Sequence, residues 1–128
     1  MDIILSIKPV YVEKIFSGEK DFEYRRLPPK RSSAFRAYVY SSSPVKCVVG
    51  ELTISEVITL PIDELWARTG HRGGVEKEVF LSYFQGMSSG SALVISKRKK
   101  LRSARPISDF LPHGKPPQSY CSLPRELV

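Results

Sequence analysis

Alternating apolar and polar side chains near the start of this chain indicate a short strand. Ile3, Leu5 and Ile7 fall on one face of an extended segment, and the residues between them fall on the other. The same pattern, with a β-prone composition, predicts four further strands, at residues 20–26, 36–41, 47–58 and 91–96. A glycine inside the longest of these segments, Gly50, predicts a bulge or a bend.

Apolar residues at helical spacing predict three helices between these strands. Pro9 suits the first position of a helix, and Gly18 suits its end. Pro61 begins the second helix, which ends near Gly70, and the third covers residues 75–84. Strands with helices inserted early and late predict an α+β fold. We expect a small, partly closed β-barrel of five to six strands, flanked by two to three helices.

The length of 128 residues predicts one domain, followed by a tail in which prolines recur. We expect residues 1–102 to form the domain and residues 103–128 to form the tail. The tail prolines are Pro106, Pro112, Pro116, Pro117 and Pro124. Apolar residues such as Phe110 and Tyr120 would let the tail lie as a strap across the barrel; partial disorder is the alternative.

Positive charge is concentrated late in the sequence. Residues 97–128 hold eight Lys or Arg against two Asp or Glu, which is +6 of the net +7. Such a run attracts polyanions, and salt weakens that attraction. The residues that we expect to contact a nucleic-acid backbone are Lys97, Arg98, Lys99, Lys100 and Arg102. A solvated charged edge that keeps the protein soluble is the alternative.

Composition also argues against several classes of protein. The two cysteines, Cys47 and Cys121, have no CxxC spacing and there are only two histidines, so we expect no metal site. No segment approaches the ~20 apolar residues of a membrane span, and residues 1–5 have no basic signal segment. We expect a cytoplasmic protein with reduced thiols. No phosphate-binding loop is present, so no cofactor is expected.

The densest polar cluster outside the tail lies at residues 18–25. On a strand, Glu23 and Arg25 share a face, and Lys20 lies where the preceding turn ends. Lys8, at the end of the first strand, can point to the same place. An amine, a carboxylate and a guanidinium together can bind a phosphate and a base edge, or lower the pKa of the lysine. An edge strand with alternating surface charges is the alternative.

These motifs resemble a known family. Leu5-Ser6-Ile7-Lys8-Pro9, Gly18-Glu19-Lys20 and Phe22-Glu23-Tyr24-Arg25 are similar to the signature of ASCH domains, which belong to the PUA-like superfamily. The resemblance implies a PUA-like β-barrel with a cleft beside the first helix. It also implies a link to RNA, because members are mostly regarded as RNA-binding. Some small relatives are amidohydrolases that deacetylate N4-acetylcytidine, and at least one is described as a ribonuclease.

The resemblance also suggests which residues would be catalytic. The amidohydrolases use the motif lysine, which Lys20 matches, and a threonine, which Glu23 replaces here. They also use a glutamate just before the second helix of the helical insert. In this chain the first carboxylate near that place is Glu76. Lys20, Glu23 and Glu76 are therefore the candidate catalytic residues, with Lys20 as base or electrostatic stabiliser and a glutamate as proton shuttle.

Three functions remain open from the sequence. The leading one is binding of RNA or a modified nucleoside by Lys8, Lys20, Glu23 and Arg25, with Tyr40 stacking on a base. The second is hydrolysis of the same class of ligand, as an amidohydrolase or as a metal-independent ribonuclease. The third is a protein-interaction module that uses the tail. His71 could assist a ribonuclease, although a lone histidine in a Gly-rich loop is more often exposed than catalytic.

Overall fold

The computed structural model describes residues 2–123, and they form one six-stranded sheet with three helices. The strands are Ile3–Ile7 (β1), Phe22–Arg25 (β2), Phe35–Ser41 (β3), Cys47–Pro61 (β4), Ser89–Arg105 (β5) and Tyr120–Ser122 (β6). The helices are Pro9–Phe16 (α1), Ile62–Thr69 (α2) and Lys77–Tyr83 (α3). Single 3-10 turns lie at Gly70–Arg72 and Ile107–Asp109.

The strand order is β2-β5-β4-β3-β1-β6, with β1 and β3 parallel and the other neighbours antiparallel. The sheet curls into a half-barrel, as predicted. Shifts of register along β4 mark bulges, which bend and twist a long strand. One shift falls between Val48 and Gly50, so the predicted bulge is confirmed. A Cβ at Gly50 would overlap the Phe16 ring, so the glycine also lets α1 approach the sheet.

Three apolar clusters hold the helices and the tail on the sheet. In the first, Val12 and Ile15 of α1 pack on Leu5, Val39 and Leu52 of the strands. In the second, tail residues cover the other face of the sheet. In the third, α2 and α3 pack on β2 and β5 through residues such as Leu65, Phe80 and Phe84. The first and third clusters fix the two helical walls between which the polar residues of β2 lie.

Strand β5 is much longer than predicted. Its basic second half lacks apolar alternation, so the sequence gives no strand signal there, but backbone pairing with β4 continues from Lys97 to Arg105. The strand therefore extends beyond the boundary predicted at residue 102. Pro61 is the last residue of β4 rather than the first of α2.

The part of the tail that is described is folded onto the sheet. Ile107, Phe110, Leu111 and Leu123 are buried with Ile4 and other core residues of the sheet. Strand β6 pairs with β1 in antiparallel register. Pro124 and the residues after it lie outside the described range. Within residues 2–123, no helix has the length and apolar character needed to cross a membrane.

Candidate functional site

An open cavity of about 340 Å³ lies where β1, α1, β2 and α3 meet. Its polar floor comes from β2 and the turn before it, and its apolar wall comes from α3 and the loop before it. The lining residues used below are Ser6, Lys8, Tyr11, Lys20, Glu23, Tyr24, Arg25, Val79, Phe80, Tyr83 and Gln118. Lys20, Glu23 and Arg25 are each no more than 9% exposed. Three buried ionisable side chains thus face one cavity.

Two cations share one carboxylate on the floor. The Lys20 Nζ lies 3.5 Å from Glu23 Oε1, and the Arg25 Nη2 lies 3.0 Å from Glu23 Oε2. The same Nη2 donates to the Ser6 carbonyl oxygen at 3.1 Å, which ties β2 to β1 across the cavity. With all three groups ionised, the cluster carries one uncompensated positive charge. Burial strengthens the attraction of such a charge for an anion that enters.

Lys20 is the most buried of the three. Its Nζ donates to the Gly73 carbonyl oxygen at 2.5 Å and lies 5.5 Å from the Tyr11 ring centroid and 5.1 Å from that of Tyr24. Burial lowers the pKa of this lysine below its usual value, and the attraction of Glu23 opposes that effect. The amine therefore loses its proton more readily than an exposed lysine does.

The loop after α2 is fixed against the floor by residues on both sides. Lys20 and Lys14 donate to the successive carbonyl oxygens of Gly73 and Gly74. Arg72 donates to the Asp21 carboxylate at 2.8 Å and to the Gly18 carbonyl oxygen. The hydrogen bond from Arg72, with a further one from Arg98, holds the pKa of the Asp21 carboxyl below its usual range.

Tyr24 supports the floor from below. Its Oη lies 2.7 Å from Thr69 Oγ1, and Thr69 donates to the Leu65 carbonyl oxygen at 2.7 Å. Because the Thr69 hydroxyl has one proton, Tyr24 must donate to Thr69. Burial raises the pKa of the Tyr24 hydroxyl, so it stays protonated at neutral pH.

Four of the predicted site residues meet in this cavity: Lys8, Lys20, Glu23 and Arg25. Lys8 is exposed at its edge, just before α1. Strand β2 does lie at the edge of the sheet, but Glu23 and Arg25 turn inward from it. An exposed edge with alternating charges therefore does not describe this segment.

Two predicted site residues are absent from the cavity. Tyr40, which was predicted to stack on a base, is buried with Val48 and Phe110, so its ring does not line this cavity. Glu76 is exposed and lines a separate, polar cavity on the other side of the Gly73–Gly74 loop. His71 lines that polar cavity as well. Neither Glu76 nor His71 lines the cavity beside Lys20.

The five basic residues predicted to contact a nucleic-acid backbone divide into two groups. Lys97, Lys99, Lys100 and Arg102 are exposed on β5. Arg98 is instead half-buried, and its Nη2 donates to the Asp21 carboxylate at 2.9 Å and to the Lys20 carbonyl oxygen. It positions the residues that lead into β2. Only the exposed four project freely into solvent.

Several cavity residues had no signal in the sequence. Tyr11 and Tyr83 lie at ordinary positions of amphipathic helices, and their place beside Lys20 depends on how those helices pack. Gln118 comes from the tail, which Ser6 fixes by a hydrogen bond of 2.6 Å from its Oγ to the Pro117 carbonyl oxygen. Within residues 2–123, no group of three or more His, Cys, Asp or Glu side chains could hold a metal ion.

A curled six-stranded half-barrel, three helices and a cleft beside the first helix define the PUA-like class of small domains. Within that class, the ASCH domain model matches residues 5–103, and the chain belongs to the ASCH domain family. An ASCH domain-containing ribonuclease of Zymomonas mobilis is 25% identical over 127 residues, which are 98% of this chain and 86% of the relative.

The similarity to ASCH of Zymomonas mobilis also holds for the three-dimensional structure. A crystal structure of ASCH from Zymomonas mobilis has a TM-score of 0.91 at 25% identity, covering 98% of this chain and 90% of that one. The large ribosomal subunit protein uL22 of Ureaplasma parvum is also similar, with 28% identity over 109 residues. These are 84% of this chain but only 35% of the ribosomal protein.

Proposed function

We propose that the cavity beside Lys20 binds RNA. The observation that supports this most is the pair of buried cations, Lys20 and Arg25, which share the single carboxylate of Glu23 at the floor of an open cavity. A buried cluster with excess positive charge suits a phosphate, because the charge is already desolvated and held in position.

Hydrogen-bonding capacity supports the same ligand. Within residues 2–123, Nη2 is the only nitrogen of the Arg25 side chain with a hydrogen bond, and its Nε has no partner. The Nε is buried, so Nη1 is the nitrogen that can donate to phosphate oxygens or to the acceptor edge of a base. Opposite it, Val79, Phe80 and Tyr83 present an apolar wall on which a base can lie.

Cleavage of RNA is a second candidate, and a specific observation favours it. The relative that covers 98% of this chain is named a ribonuclease. Cleavage by side chains alone joins the 2′-oxygen to phosphorus, breaks the bond to the 5′-oxygen and leaves a cyclic phosphate. An unprotonated Lys20 would take the 2′-hydroxyl proton, and Arg25 would hold a phosphate oxygen. The Lys8 ammonium would then protonate the leaving oxygen.

The other two alternatives find less support. An amidohydrolase of the kind implied by the family would need its glutamate near the lysine, but Glu76, the candidate for that role, lines a different cavity. Glu23 is already held between two cations. As for a tail that docks partners, Phe110 and Leu111, in the part of the tail that the structure describes, are buried within this chain.

The test is one incubation with end-labelled single-stranded RNA in EDTA, analysed on native and on denaturing gels. Lys20→Met removes the amine but keeps a long side chain in the buried site. Lys77→Met removes a lysine that is exposed at the start of α3 and lines neither cavity beside the Gly73–Gly74 loop. We expect wild type and Lys77→Met to shift the RNA, and Lys20→Met to lose that shift.

The denaturing gel separates binding from cleavage. Shorter products that disappear in Lys20→Met would make the protein a ribonuclease that needs no metal. A shift without products would leave it an RNA-binding domain. Equal shifts by Lys20→Met and wild type would refute the proposal, because RNA would then be bound elsewhere.

A further inference from the structure

A second cavity adjoins the first across the ring of Tyr83. It has a volume of about 420 Å³ and is lined by Arg26, Leu27, Tyr83, Met87 and Ser119. Tyr83 lines both cavities, and Ser119 follows Gln118, which lines the first. The two cavities therefore share a helical wall and a wall from the tail. A ligand in the first could continue directly into the second.

The surface of this second cavity is apolar and open. Leu27 is 79% exposed, the largest exposed fraction among the big apolar side chains of the described residues. The Tyr83 ring is supported by Phe84, with centroids 4.9 Å apart and planes at 74°. Such edge-to-face contact holds a ring in place. A fixed aromatic beside an exposed leucine is a surface on which a planar, apolar group can lie.

Arg26 adds a fixed cation to the same cavity. Its Nη1 donates to the carbonyl oxygens of Tyr83 at 2.8 Å and Gln85 at 3.4 Å, at the end of α3. Within residues 2–123 its Nε and Nη2 make no hydrogen bond. Arg25 and Arg26 are consecutive, yet one lines the first cavity and the other lines the second. Successive phosphates of one strand could each meet a guanidinium.

We propose that the second cavity is a subsite for the next base of a single-stranded RNA. This inference rests on the proposed function, because it takes the Lys20 cavity as the first nucleotide site. It makes the ligand a strand of at least two nucleotides rather than a free nucleoside. Bases in a duplex stay stacked on one another, so only an unpaired strand can place a base against Tyr83 and Leu27.

The experiment compares a mononucleotide with a dinucleotide by calorimetry. Uridine 5′-monophosphate and a 2′-O-methyl uridine dinucleotide that carries a 5′-phosphate are suitable, since methylation of the 2′-oxygen prevents cleavage. Leu27→Ala/Met87→Ala changes two residues that line the second cavity and none that lines the first, but Met87 also packs on the core beneath α3. The single variant Leu27→Ala, at an exposed position, leaves that core packing intact. Leu81→Ala is the matched control, because Leu81 is 44% exposed on α3 and lines neither cavity.

We expect the dinucleotide to bind wild type about tenfold more tightly than the mononucleotide. The double variant should lose most of that gain, Leu27→Ala should lose part of it, and Leu81→Ala should keep it. Mononucleotide affinity should stay unchanged in all three variants and fall in Lys20→Met.

Equal affinities of wild type for the two ligands would overturn the subsite but leave the RNA-binding proposal standing. An undiminished gain in both Leu27 variants would have the same effect. Mononucleotide binding that does not depend on Lys20, or no binding of either ligand, would refute the RNA-binding proposal itself, and the subsite with it.

Discussion

The Lys20 ammonium is a costly group to bury, and its surroundings show how the cost is met. Glu23 supplies a negative charge, the Gly73 carbonyl oxygen accepts a hydrogen bond, and two tyrosine rings offer their faces. Buried ion pairs seldom add net stability, because desolvation offsets much of the attraction. A buried amine facing an open cavity therefore points to a functional rather than a stabilising role.

Lys20→Met should be about 1 kcal/mol more stable than wild type at pH 7, because it removes the desolvation cost of the amine while Glu23 keeps Arg25 as its ion-pair partner. The pKa of Lys20 is lower in the folded chain than in the unfolded one, so the unfolded chain binds more protons between those two values. Wild-type stability should thus rise with pH toward the ordinary lysine pKa, and the advantage of the variant should shrink. Urea unfolding of both proteins from pH 7 to 10 measures this. An advantage that grows with pH would contradict the direction of the shift.

Gly74 is the position where backbone and packing both require glycine. Its φ is +69°, and a Cβ there would lie 2.9 Å from three side-chain carbons of Lys20. Gly86 has a similar φ of +85° but open space around it. Gly74→Ala should therefore destabilise the fold by about 1 kcal/mol more than Gly86→Ala, since only the first displaces a buried side chain. Denaturant unfolding of the two variants measures this difference. Equal losses of stability would show that the Lys20 side chain moves away from a Cβ at residue 74 without cost.

Among the elements, those with a regular apolar period were predicted from the sequence, and those that depend on a partner were not. Strand β1 has apolar residues at alternate positions and helix α1 has them at helical spacing, so the local sequence alone predicts both elements. The second half of β5 forms because it pairs with β4, and the short β6 forms because it pairs with β1. The local sequence of each segment carries no signal of its partner strand. The same holds at the site. That Glu23 and Arg25 share a face follows from strand periodicity, and Lys20 comes from the turn just before the strand, whereas Tyr83 and Gln118 reach the site through tertiary packing.

The described part of the tail belongs to the core, and Phe110 is the largest of its buried side chains. Its ring is 6% exposed and packs with Tyr38 at a centroid distance of 5.0 Å. Phe110→Ala should destabilise the protein by about 3 kcal/mol, as deletion of a buried aromatic ring does. The matched change at an exposed apolar position, Val45→Ala, should cost under about 0.5 kcal/mol. Chemical denaturation compares them. A loss below about 1 kcal/mol for Phe110→Ala would mean that the tail is only loosely attached.

Over the whole molecule, the exposed cations of β5 form an edge, because β2 covers only residues 91–94 of that strand. Lysines along an exposed edge also discourage pairing between sheets of different molecules. The salt dependence of RNA affinity tests whether these lysines also contact RNA. Each phosphate contact contributes about 0.7 to the slope of log affinity against log salt for a single strand.

Lys97→Ala/Lys100→Ala should therefore reduce that slope by about 1.4 for an RNA long enough to leave the cavity and reach β5. The charge-retaining pair Lys97→Arg/Lys100→Arg should keep the wild-type slope. Binding titrations at several salt concentrations give the three slopes. An unchanged slope in the alanine variant would assign these lysines to keeping the edge soluble.

The position of β1 between β3 and β6 has a consequence for the order of assembly. The hydrogen bond from Ser6 to Pro117 joins residues 111 positions apart, and closing so long a loop is slow. During synthesis, the strand that carries Ser6 appears well before its second neighbour. Until then the cavity lacks the wall that Gln118 provides. The cleft thus takes its final shape only after residue 122 has left the ribosome.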